Sequence, residues 1–322
     1  MIGFNLSKKL SYARIGLVMA LATMESLAIA ETPSLATVRP VRPMQSTTIT
    51  LAQVVARQRE TLDQIHSARG VAVWREDNYT TRTSQVPPLR LVHFAYSSTA
   101  SVNLILPWDG KTPVGHLREK PEWDKVLAAY LVRDDLVYAI KPAPKNPNGW
   151  VKRTPYNPAV HERNPIVSFR IEQLADEPVT LADLYATQKA MEAPPQIVPT
   201  KEKDGPRLWV LFSNPGAPSE SLRYLINPSK GYLAEYIGRF SGGRKIFETM
   251  IVLGKAGNQI WIPAHRIKYE YAADGSLARR SEWYFDSLQI NQPLAPYELS
   301  FVYFHLPSEA WPQKVQTNAP SQ

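Results

Sequence analysis

Six histidines are the residues best suited to bind a metal or move a proton: His66, His93, His116, His161, His265 and His305. They are scattered with no metal-ligand spacing, and each reads as a surface or hydrogen-bonded histidine. The chain has no cysteine, which removes cysteine proteases, thiol redox chemistry, cysteine-ligated metals and disulfides. It also removes the cysteine that would carry a bacterial lipoprotein's anchor. No HExxH, GxSxG, Walker loop or dinucleotide fingerprint occurs. Asp134-Asp135 reads as a turn before a strand, and Ser241-Gly242-Gly243 joins strands with no oxyanion context. Polysaccharide hydrolysis needs two positioned carboxylates, and no pair stands out. No catalytic residue, metal or cofactor is therefore expected.

What remains is apolar and aromatic surface. Trp209, Leu211, Trp261, Tyr269, Tyr271, Trp283 and Phe285 fall on strand-like segments and are the candidates for a ligand cavity. For any single ring, filling a core is the simpler reading. Taken together, they fit a sheet that curves more than its helices can fill, leaving an apolar hollow of the kind that takes small molecules or lipids.

The elements that must carry these residues are mostly strands. From about Arg207 onward, segments such as "RLWVLFSNP", "SLRYLINPSKG", "YLAEYIGRF" and "RKIFETMIVLG" follow one another. Turn signals separate them, at Asn214-Pro215-Gly216, Asn227-Pro228 and Asp274-Gly275. This is an antiparallel meander, and a sheet so built twists and curls. Within its last hairpin Ile267, Tyr269 and Tyr271 share one face and Arg266, Lys268 and Glu270 the other. The Tyr269, Tyr271, Trp283 and Phe285 face is expected to look into the concave side. "GVAVWREDNYTTRT", "PLRLVHFAYSS" and "DLVYAIKP" read as further strands. Asn78-Tyr79-Thr80 matches a glycosylation sequon, a tripeptide common by chance.

Three helices are expected. The first has Thr50 as N-cap, a stripe of Leu51, Val54, Val55, Leu62 and Ile65, and Gly70 as its stop. The second is "KPEWDKVLAAYLV", with Trp123, Val126, Leu127 and Tyr130 on one side. The third is "TLADLYATQKAM", capped by Thr180 and stopped before Pro194-Pro195. A one-sided amphipathic helix must bury its stripe, and a sheet is the natural partner. The fold class is thus α+β and mostly β: a strongly curved antiparallel half-barrel with helices covering its concave face.

At 322 residues the chain is long enough for one large domain or two small ones, and its 28 prolines favour turns and short strands. Residues 1–30 read as a secretory signal, with Lys8, Lys9 and Arg14 before "IGLVMALATM" and "AIA" before a cut at Glu31. Glu25 is its weak point, and an uncleaved anchor is the alternative. Residues 31–46 form a flexible Pro/Arg linker, 47–311 the main domain, and 312–322 a flexible tail. Removing residues 1–30 takes away three basic groups and one acidic group, so the formal charge falls from +8 to +6. That bias suits anionic surfaces and leaves room for peripheral membrane contact, but no nucleic-acid motif accompanies it.

The order of segments is distinctive. An export signal and an amphipathic helix lead into a meander with "LRYLINPSKGYL", "IWIPAHRIKYEYAADGSLARRSEWYF" and "LQINQPLAPYELSFVYFHLP". It resembles the LolA-like periplasmic lipoprotein-sorting and lipid-binding superfamily, especially its long bacterial versions. The W-x-P step is Trp261-Ile262-Pro263, next to the Asp274-Gly275 hairpin, and the closing element runs from Asn291 and Pro293 to Phe301. The resemblance spans about 205–311 and extends to 50–100. It implies an incomplete, helix-covered barrel around an apolar cavity, in proteins that carry lipoprotein acyl chains, bind lipids or sense them. Residues 100–200 are longer than a simple carrier needs and are expected to be an insertion or lid. No arginine here matches the one that latches the lid in the well-known carriers.

The leading expectation is an exported, periplasmic, monomeric, non-enzymatic protein that binds an acyl chain, lipoprotein or other apolar ligand. The alternative is an envelope interaction or stress-sensing module that binds a partner protein through the same fold. The third is a cell-envelope hydrolase.

Overall fold

A computed structural model describes residues 49–80, 89–111, 126–143, 146–157, 169–190, 194–214, 217–257 and 259–300. The expected signal, linker and tail lie outside these residues. Thirteen strands form one sheet: β1 (Ser67–Asn78), β2 (Leu89–Ser97), β3 (Ala100–Trp108), β4 (Ala128–Arg133), β5 (Leu136–Ala143), β6 (Asn146–Pro155), β7 (Gln196–Glu202), β8 (Gly205–Asn214), β9 (Ala217–Asn227), β10 (Leu233–Ser241), β11 (Arg244–Ala256), β12 (Ile260–Tyr271) and β13 (Leu277–Ile290). Among the described residues two α-helices accompany them, α1 (Leu51–Leu62) and α2 (Leu181–Ala190).

The order across the sheet is β6-β5-β4-β3-β2-β1-β13-β12-β11-β10-β9-β8-β7, and the described ladders are antiparallel. The first and last strands meet in the middle. β6 and β7 follow each other in the chain yet form opposite edges. The chain between them therefore has to pass from edge to edge, and it holds Phe169–Leu174 and α2. The sheet is open and curled, so the architecture is an α+β half-barrel, as expected. Residues 100–200 supply β3–β6, that crossing segment and part of β7.

The inner face carries two apolar clusters. Trp74, Phe94, Tyr96 and Trp283 build the first, covered by Phe169, Ile171 and Leu174 of the crossing segment. Leu208, Val210, Phe212, Tyr224, Ile237 and Ile251 build the second, beneath α1 and α2 with Leu51, Val54 and Leu181. The Thr50 cap is reciprocal: Gln53 N donates to its hydroxyl at 3.3 Å and Gln53 Oε1 accepts from its N–H at 2.8 Å. The buried stripe of α1 is Leu51, Val54, Gln58 and Thr61, and Thr61 Oγ1 donates to Gly231 O at 2.9 Å.

Two expectations need correcting. Gly70 does not stop α1, which ends at Leu62; it lies in β1, where a Cβ would come within 2.2 Å of Ser287 O. The missing side chain admits the β13 backbone beside the bulge at Val71/Ala72. The described part of "KPEWDKVLAAYLV" is not helical: Ala128–Arg133 is β4, paired with β3 and β5. Asp134 and Asp135, at φ 52° and 57°, form the tight turn that reverses β4 into β5. Two positive φ values in succession match a hairpin turn whose twist suits the flanking strands, and that pairing overrides the helical spacing.

Candidate functional site

Opposed residues in an antiparallel ladder point to the same face. Trp283 stands opposite Trp74, and the two rings stack at 5.0 Å with Phe169 at 5.4 Å from Trp283. Phe285 joins them, 6.1 Å from Phe169 and 5.9 Å from Phe94. Both candidates therefore face inward, within a filled aromatic core. Trp261 packs at the rim of the second cluster, with Lys230 and Lys255 near its ring.

The other four candidates face outward. Leu208, Val210 and Phe212 belong to the inner cluster, which puts Trp209 and Leu211 on the opposite side of β8. Arg266 stands opposite Trp283 and Lys268 opposite Ser281, so these two cations face inward and Tyr269, opposite Arg280, faces out. Tyr271 Oη donates to Glu248, which stands opposite Tyr269 on the outer side. The expected single face of Tyr269, Tyr271, Trp283 and Phe285 is thus split between the two sides. An outer row runs Val198, Trp209, Leu225, Tyr236, Met250 and Ile267, each opposite the next.

A cavity of about 510 Å³ opens between α2 and the inner face of β8–β12. Its apolar wall is Val179, Leu184, Phe212, Leu222 and Phe247, and Glu177, Gln188, Ser213, Glu220, Arg239 and Lys268 add polar groups. None of the seven sequence candidates is among its described lining residues. Leu184 and Gln188 reach it because they lie one helical turn apart on α2. Gln188 Nε2 donates to Ser213 O at 3.0 Å and so ties α2 to β8.

Beneath the α2 end of this wall lies a buried charge cluster. Glu177 accepts from Arg266 Nη2 at 2.6 Å, Lys268 Nζ at 2.7 Å and Thr249 Oγ1 at 2.7 Å. Burial alone would raise its carboxyl; the two cations outweigh that and hold it below the usual range. Its neighbour Asp176 accepts from Leu181 N at 2.7 Å and Glu177 N at 2.9 Å. Burial pushes Asp176 up to about 7 against those bonds. Tyr224 Oη lies beside it, and burial followed by the Asp176 charge raises the tyrosine well above its ordinary value.

These residues escaped the sequence reading. A signal was present: "ADEPVTLAD" puts two acids just ahead of a Thr180–Asp183 helix start. Asp183 N donates to Thr180 Oγ1 at 3.1 Å and Thr180 N to Asp183 Oδ2 at 3.0 Å. Among the histidines, His265 meets Glu282 at 2.8 Å, but on the outer side, with Arg280 held by the same carboxylate. His116, His161 and His305 lie outside the described residues. Among the described residues no group of three or more His, Cys, Asp or Glu is placed to hold a metal, and no helix is long and apolar enough to cross a membrane.

No family model and no curated protein matches the chain. Solved structures do. A DUF1329 family protein from Desulfovibrio piger matches 80% of this chain and 98% of its own, at 10% identity and a TM-score of 0.46. A domain described as an outer membrane lipoprotein-sorting protein, from Vibrio parahaemolyticus, matches 79% and 97%, at 10% and 0.45. A LolA superfamily protein from Nitrosomonas europaea matches 80% and 100%, at 11% and 0.43. The open, curled, helix-covered sheet is what the resemblance in the sequence implies. Scores and identities this low say nothing about ligand or partner.

Proposed function

We propose that this LolA-like chain is an exported, non-enzymatic protein that binds an acyl chain or another apolar ligand. The observation that carries the reading is the cavity of about 510 Å³ walled by Val179, Leu184, Phe212, Leu222 and Phe247. A wall of that kind binds by removing methylenes from water, at about 0.8 kcal/mol each. It offers orientation through Lys268 and Arg239 rather than a nucleophile. The protein acts as a monomer in the periplasm, without a cofactor.

Native mass spectrometry with lipid extraction tests this on protein starting at Glu31, purified from an exporting host. The expected result is a co-purifying fatty acid, phospholipid or acylated peptide that Leu222→Trp, which fills the hollow, no longer retains. A clean apo mass that stays unchanged after incubation with lipid vesicles sinks the reading.

A second reading, a module for an envelope partner protein, is favoured by the outer row from Val198 to Ile267. Val198 is 46% exposed and Met250 37% exposed, so this row meets water on a sheet face. Met250→Lys would then abolish partner binding while leaving lipid retention unchanged.

A further inference from the structure

The cavity and the buried carboxylates share one structural part. Asp176 and Glu177 sit at the foot of α2, and α2 is a wall of the cavity. Asp176 holds the first-turn amide of Leu181, and Glu177 holds β11 and β12 through Thr249, Arg266 and Lys268. Tyr224 approaches from β9. The first turn of α2 and the strands β11 and β12 are thus joined through two adjacent acids. We infer that this two-carboxylate seat makes α2 a pH-dependent wall, held hardest on the sheet in mild acid and released more readily towards neutral pH.

The direction follows from proton linkage. With α2 lifted, Asp176 meets water and returns to its ordinary value of 3.8; seated, burial puts it at about 7. The seated form therefore binds more protons throughout the interval between these values. Raising the pH across that interval favours the lifted form by up to about tenfold per unit, and the effect levels off above it. Glu177 works with the opposite sign. Its carboxyl is held below the usual range by Arg266 and Lys268, so its grip is complete above that range and lost as the pH falls through its seated value. The Asp176 penalty grows as the pH rises past 3.8 and the Glu177 loss sets in below 4.5, so the seat is tightest in acid near about pH 4 and loosens from there to neutral pH. Two neighbouring acids pushed apart by their surroundings divide the work.

The inference does not depend on what the cavity binds, and amide hydrogen exchange of α2 tests it directly on the full chain. Rates at Leu184 to Gln188 are corrected for intrinsic exchange and converted to opening constants. The amides of α1 serve as the internal reference for global unfolding. The opening constant of α2 is expected to rise by up to roughly fiftyfold from pH 5 to pH 7 relative to α1. In Asp176→Asn, which keeps an acceptor but cannot ionise, the rise disappears. An α2 opening constant equal at pH 5 and pH 7, or a rise that survives in Asp176→Asn, overturns the inference. If Asp176→Asn loses its near-ultraviolet circular dichroism and so does not fold, Asp176→Ser, which keeps an acceptor for the Leu181 amide and cannot ionise, decides: a vanished rise supports the seat, a surviving one refutes it.

Discussion

The inner face of the half-barrel has two regions that solve one problem differently. Around β1, β2 and β13 the sheet is covered by stacked rings: Trp74 on Trp283 at 5.0 Å, then Phe169 and Phe94 at 4.6 Å from each other. Around β8–β11 it is covered by α1 and α2, which carry mainly aliphatic side chains. The rings interlock, Trp74 flat on Trp283 and Phe169 tilted against Phe94, and leave little space. A ten-residue helix is a rigid cylinder, so it cannot follow the same curvature, and the gap beside it becomes the cavity. The difference teaches where a ligand can enter: among the described residues the cavity lies where a helix bridges the curve, beside α2, and the rings around Trp283 are buried.

The comparison breaks hardest at Trp283, which is 3% exposed. Trp283→Ala removes the ring shared by Trp74 and Phe169 and is expected to destabilise by about 3–5 kcal/mol in urea denaturation. Phe247→Ala, on the partly open cavity wall, should cost much less, because that ring already lacks contacts on one side. Equal losses at the two sites would mean that the two regions are packed alike.

The strand rhythm from β8 to β13 was legible because polar turns punctuate it at Asn227-Pro228, Ser241-Gly242-Gly243 and Asp274-Gly275. The caps at Thr50 and Thr180 were legible because a cap is chemistry within four residues. The face of β12 was not. Local pattern favours tyrosines inside and Arg266 with Lys268 outside. The opposite holds because Glu177, far away in the chain, meets both cations on the inner face. A buried ion pair needs both partners, and a strand read alone shows one. The helical spacing of Val126, Leu127 and Tyr130 misled for a related reason. It says nothing of the β3 and β5 ladders that claim Ala128–Arg133, nor of the Asp134-Asp135 turn that closes them. The candidate site was less legible still, because its walls come from α2, β8, β9, β10, β11 and β12 together.

Glu177 sharpens the contrast from the cavity side. Glu177→Gln keeps the shape but leaves Arg266 buried without its anion and Lys268 with only Glu270 at 3.3 Å, at an expected cost of about 3 kcal/mol. The sign with pH is fixed by its lowered carboxyl. Wild-type stability from this group is present above its unfolded value of 4.5 and is lost as the pH falls through the folded one. Denaturation at pH 7 and at pH 3 should therefore show a large gap between wild type and Glu177→Gln at pH 7 and a small one at pH 3. A gap that does not close in acid would remove the ion pairs from the account.

The smallest expected effect tests the assignment of faces itself. Tyr269 stands opposite Arg280 and Glu248 on the outer side, half-buried among its neighbours. Tyr269→Ser strips part of a solvent-facing ring and opens no interior hollow, so it should cost less than about 1 kcal/mol, against several for Trp283→Ala. It should leave lipid retention in the native mass spectrum unchanged. A change in the retained ligand would instead place this ring against the cavity, on the same side as Lys268. The register forbids that arrangement, because Lys268 and Tyr269 are adjacent on one strand and adjacent strand residues point to opposite faces.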